Sequence, residues 1–176
     1  MSLPRDFAEL WTLAEAMARE TGGDPRYVFD PCGLLLERRP SPWTYFCSPR
    51  NALTLASTGG DGVHFGLLQL DEVAPERLPI VMTVPMSDAR NVVVAESFAE
   101  FLGLGCHVGW FLLEQLAYDP DWTAQHYAAA EREPDCEAVL KRIRRSLRVK
   151  PVPLDLERIR QLQDKYLPLL QLPDEA

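Results

Sequence analysis

The spacing of hydrophobic and polar positions changes along this chain, and the changes mark its elements. Near the start, Phe7, Leu10, Trp11, Ala14, Met17 and Ala18 recur at helical spacing as one apolar stripe. Pro4 suits the N-terminus of that helix, and Thr21-Gly22-Gly23 ends it. Residues 24–31 read as a loop, and residues 33–37 as a short strand that Pro40-Ser41-Pro42 breaks. Trp43-Thr44-Tyr45-Phe46 is aromatic and β-prone. Two apolar arms, Ala52–Ser57 and residues 63–70, then flank Thr58-Gly59-Gly60-Asp61-Gly62. Glycine takes positive φ without steric cost, so this cluster predicts a β-hairpin with a polar tip. In the second arm Val63, Phe65 and Leu67 share one face and His64, Gly66 and Leu68 the other. Both faces are apolar beyond Gly66, which predicts cover on both sides.

The apolar run 79–84 predicts a central strand, residues 87–91 a turn, and residues 92–95 another strand. Two hairpins in series predict an antiparallel meander. Ser97 and Glu100 fit a capping box, and the helix they open is expected to stop at Gly103. Residues 105–117 read as a second, mostly apolar helix buried against the sheet, and residues 121–131 as a third. Val139, Leu140, Ile143 and Leu147 form the stripe of a basic helix. After the stiff joint Pro151-Val152-Pro153, Asp155 can cap a last helix carrying Leu156, Ile159, Leu162 and Tyr166.

These elements predict an α+β fold: a mixed, mostly antiparallel sheet with flanking helices and a helical C-terminal extension. The 176 residues suit a single domain, with its core in about 1–118 and the extension in about 119–176. A hydrophobic fraction of 47% supplies a core without metal or disulfide support. The start of the chain lacks a basic segment followed by an apolar run, and no apolar stretch reaches the length of a membrane span. A cytoplasmic protein without membrane contact is expected. Cys32, Cys47, Cys106 and Cys136 form no Cys-x-x-Cys pair, so free, buried thiols are expected.

The net charge is −8, unevenly spread. Lys141, Arg142, Arg144, Arg145, Arg148 and Lys150 crowd one helix, leaving an acidic body. Such a body repels nucleic acid and steers basic partners toward it. The basic helix reads as solvated or paired within the molecule.

No catalytic constellation emerges. Asp61 and His64 lie three apart beside glycines, but metal binding or acid–base work needs further groups that the spacing does not name. Asp61 as a turn residue and His64 as a cross-strand partner is the plainer reading. The glycine loop lacks the lysine and following helix of a phosphate loop. Cys106 and His107 point about 100° apart on a helix and do not meet. No cofactor or metal is expected.

The strings Tyr45-Phe46-Cys47-Ser48-Pro49-Arg50-Asn51 and Ala56-Ser57-Thr58-Gly59-Gly60-Asp61-Gly62-Val63-His64-Phe65-Gly66 resemble the SUKH superfamily, in its bacterial branch related to the fungal cell-wall-assembly regulators. Residues 79–85 and 91–102 resemble the strands and helix that come next in that branch, so the likeness covers roughly residues 44–104. It implies an α+β fold and a non-enzymatic protein-binding role. Many bacterial members are immunity proteins that neutralise toxins delivered between cells, and here a basic toxin such as a nuclease fits the acidic balance. An intracellular regulatory or scaffold module of the same fold is the alternative, and a hydrolase using Asp61 and His64 a more distant one. The resemblance makes Thr58, Gly59, Gly60, Asp61, Gly62 and His64 the signature hairpin turn. Binding is expected to rest on exposed sheet, loops and the acidic surface.

Overall fold

The computed structural model describes residues 3–173. Residues 1–2 and 174–176, the latter ending the expected extension, lie outside the described residues. Helix α1 (Arg5–Thr21) starts after Pro4 and ends at Gly22, whose φ of +72° is the left-handed cap that glycine favours. Two single-turn 3₁₀ segments, Pro25–Tyr27 and Asp30–Cys32, come next. Strands β1 (Leu35–Ser41), β2 (Ala52–Ser57), β3 (His64–Leu68), β4 (Ile80–Thr83) and β5 (Asn91–Ala95) form one sheet in the order β1-β2-β3-β4-β5. Within the expected mixed, mostly antiparallel sheet, each of these pairings is antiparallel, a meander. Pro40 does not end β1. The strand lies at the sheet edge and its register shifts between Leu36 and Ser41, so the missing N–H breaks no ladder. Residues 43–46 are turn and irregular structure rather than a strand.

Every residue of β2, β3 and β4 is buried, so both faces of the central sheet are covered. On one face Phe65 meets Phe101 (ring centroids 4.9 Å apart), which meets Phe98, which meets Phe7. This aromatic chain joins the sheet to α2 (Phe98–Val108) and α1. Ser97 caps α2 by accepting from Glu100 N–H, and the Glu100 carboxylate accepts from the backbone of Glu96. The helix runs through Gly103 and Gly105 and stops only at Gly109. Those two glycines are sites of close approach, not breaks. A Cβ on Gly103 would lie 2.6 Å from Val152, and one on Gly105 would lie 1.8 Å from the Trp110 ring. Beyond Trp110 the chain forms a 3₁₀ segment, Phe111–Ala117, in place of the expected α-helix.

Helices α3 (Pro120–Tyr127), α4 (Pro134–Leu147) and α5 (Leu156–Tyr166) complete the chain. Tyr127 is buried and its hydroxyl donates to Leu104 O. Helix α4 packs on α1 and α2, and α5 along β5. Leu140, Ile143, Ile159 and Leu162 thereby enter the same core as the sheet. Strand β5 is an edge, and Gln163 of α5 covers it. Its amide accepts from Val93 N–H and donates to Val93 O, both at 2.8 Å, in place of a further strand. The segment after α5 returns to the start of β2, where Arg50 N–H donates to Gln171 O and Asn51 Nδ2 donates to Leu169 O.

Candidate functional site

The hairpin tip and the loop that crosses it make the best-defined polar and aromatic arrangement in the molecule. Thr58 N–H donates to Val63 O, Val63 N–H donates to Gly60 O, and the Thr58 hydroxyl donates to Gly60 O. Thr58 is buried, whereas Gly59, Gly60 and Asp61 are exposed. Positive φ occurs at Gly59, Asp61 and Gly62. Gly62 has a second duty, because a Cβ there would lie 2.8 Å from the Tyr45 ring. Glycine at this position lets the 42–48 loop lie down on the hairpin.

His64, the first residue of β3, is the centre of that contact. It is 2% exposed. Its Nδ1 is 2.7 Å from Gly62 O and its Nε2 is 2.9 Å from Ser48 Oγ. A carbonyl only accepts, so Nδ1 carries the proton of the neutral ring, and Ser48 Oγ–H donates to Nε2. Trp43 and Tyr45 pack over the imidazole at 4.8 and 5.6 Å and stack on each other at 5.9 Å. Burial lowers the proton affinity of His64, and the Gly62 carbonyl opposes that in part. A second strap lies beside it: Asn91 Nδ2 donates to Cys47 O and Asn91 Oδ1 accepts from Thr83. Residues 47 and 48 are thus tied to β3 and β5. Beyond the straps the aromatic side chains turn outward. Tyr45 is 41% and Phe46 63% exposed, and an open depression of about 500 Å³ is lined by residues 42–46.

Ser48, His64 and Gly62 reproduce the hydrogen-bond order of a nucleophile, a base and an orienting acceptor. Ser48 is only 4% exposed and lies beneath the loop it belongs to, so its hydroxyl acts here as a strap. The Asp61–His64 pair considered for hydrolysis does not form. Both imidazole nitrogens are engaged elsewhere, and the Asp61 charge acts on Glu114 and Tyr118 instead. Burial first and the Asp61 charge second raise the Glu114 carboxyl above its ordinary range. Thr58 rather than Asp61 supplies the side-chain hydrogen bond of the turn.

A concavity of about 840 Å³ lies between the β3–β4 loop and α5. Its floor is a charged network. Arg158 bridges Glu96 and Glu100, and Lys165 and the Tyr166 hydroxyl both reach Glu96. Lys165, then Arg158 and Tyr166, hold the Glu96 carboxyl down at about 2. These contacts clamp α5 onto the start of α2. On the basic helix, Arg142 pairs with Glu20, and Lys141 and Arg144 with Glu137. All four cysteines are free and buried. Cys32 and Cys136, remote in sequence, meet, and the Cys32 thiol donates to Cys136 O. Among the described residues no three His, Cys, Asp or Glu side chains are grouped to hold a metal ion. Nor is any described helix long and apolar enough to cross a membrane.

Sequence reasoning placed His64 on the hairpin but missed Ser48, Trp43 and Tyr45 as its partners. The prolines at 40, 42 and 49 were the available signal that residues 43–46 form a loop. No family model, curated protein or solved structure matches this chain.

Proposed function

We propose that the chain is a non-enzymatic protein-binding domain that docks its partner through the 42–46 loop, and that it acts as an immunity protein of the SUKH kind. The observation that supports this is the presentation of Tyr45 and Phe46 on a backbone held by two side-chain straps. Aromatic anchors dominate binding energy at protein interfaces, and a loop already held in place loses little freedom on binding. Strands β2, β3 and β4 are buried on both faces, so of the sheet expected as a binding surface the exposed part is edge strand β1, beside the loop. At long range the charge of −8 favours a basic partner.

The test is co-expression with whatever toxin a neighbouring gene of the host encodes; a neighbourhood without one counts against the immunity role. Growth restored by the wild-type chain, and lost with a folded Y45A/F46A variant, is the expected result. Toxicity unaffected by the wild-type chain sinks the immunity role. Protection that survives Y45A/F46A sinks the loop as the docking surface.

A further inference from the structure

We propose that the 38–46 segment together with Arg90 receives an acidic, apolar segment of the partner protein, an inference that rests on the protein-binding reading above. No Asp or Glu occurs between Glu37 and Asp61, although the chain as a whole carries −8. Within that stretch Arg38 and Arg39 are exposed on edge strand β1, at the register shift that bends the strand. Among the described residues neither forms an ion pair. The Arg90 guanidinium lies 5.1 Å from the centroid of the exposed Phe46 ring. Arg90 thus touches the aromatic loop, and Arg38 and Arg39 lie on the strand that leads directly into it; arginine and aromatic residues are the types enriched where proteins bind proteins. Glu37, the carboxylate next to this stretch in sequence, is paired with Arg26. A docking segment that meets these rings and guanidinium groups together is selected for carboxylates beside an aromatic or aliphatic anchor.

The same composition in an open channel would suit single-stranded nucleic acid, but base stacking needs a free ring face. Trp43 packs against both His64 and Tyr45, and Phe46 carries Arg90. The overall negative charge also opposes a polyanion. A polypeptide is the better fit.

The purified chain is panned against a display library of random dodecapeptides, and enriched peptides are titrated against wild type, R38E/R39E and Y45A/F46A. Enriched peptides should carry Asp or Glu beside an aromatic residue or leucine. Their affinity should fall about tenfold or more for either variant. Exchanging the peptide carboxylates for lysine should restore binding to R38E/R39E. Peptides that need Tyr45 and Phe46 but are neutral or basic, and bind R38E/R39E unchanged, overturn the acidic-segment proposal and leave the docking loop standing. If no enriched peptide depends on the loop, the docking reading falls as well. Tight binding of oligouridylate that Y45A/F46A abolishes overturns the proposal in favour of nucleic acid. Arg38, Arg39, Tyr45 and Phe46 are exposed, so thermal unfolding should show both variants folded.

Discussion

The Ser48 hydroxyl donates to His64 Nε2 across 2.9 Å, joining the aromatic loop to the first residue of the central strand β3. Both side chains are buried. Removing one partner leaves the other without a hydrogen bond and without water, at about 1–3 kcal/mol. His64→Ala should therefore cost at least that much, with lost packing against Trp43 and Tyr45 added. Urea denaturation reads it directly; an unchanged midpoint and slope would remove His64 from the role of strap.

The glycines of the hairpin tip should respond differently to the same substitution. Gly62→Ala puts an L-residue at φ +72° and its Cβ against Tyr45. Left-handed backbone alone costs about 1–2 kcal/mol, and the ring must also move. Gly60 has open space around its Cβ position and is not at positive φ. Gly60→Ala should be neutral, or stabilise by up to about 1 kcal/mol through the unfolded chain. Equal losses at the two positions would show that the tip does not seat Tyr45.

Acid should weaken the fold in two separable windows. The folded proton affinity of His64 lies below its ordinary 6.5, so below that pH the unfolded chain binds a proton the folded one refuses. Stability should fall as pH drops through about 6.5. His107, lowered by burial and then by Arg132 and Arg144, adds to the same window, so His64→Gln should flatten it only in part. Glu96 behaves as a depressed carboxyl. Its contribution is present above 4.5 and is lost as pH falls toward about 2. Glu137, where burial opposes but the Arg144 pair wins, is depressed as well, so Glu96→Gln should reduce that lower dependence in part and leave the upper one intact. Urea midpoints measured across the pH range distinguish the two, and identical profiles for wild type and Glu96→Gln would refute the clamp between α5 and α2.

The edge of β5 offers a fourth test. Gln163→Ala frees both polar backbone groups of Val93, at about 1–3 kcal/mol. An uncovered edge is also a template for strand pairing between molecules. The variant should be less stable and should scatter more light on warming than wild type. Stability loss without increased scattering would mean that α5 covers the edge without the amide.

The sequence by itself determined the local elements. Helix α1, its proline start and glycine end, the hairpin around Gly59-Gly60-Asp61-Gly62, the strands of the meander and the Ser97 cap all arise from period, turn chemistry and caps, which act over a few neighbouring residues. Only the tertiary structure decided which surfaces meet. Gly103 reads as a break and Gly105 as the start of a new helix, because a glycine's local signal is the same whether it ends a helix or admits a neighbour; Val152 and Trp110, brought in by packing, settle it. Trp43 to Phe46 carry strand propensity, yet their partners are His64, Gly62 and Arg90, reached across the fold, so they become a strapped loop. The pairing of Gln163 with Val93 and the meeting of Cys32 with Cys136 span still longer separations. Such contacts have no period and leave no local trace, since they arise from the burial of whole faces against one another.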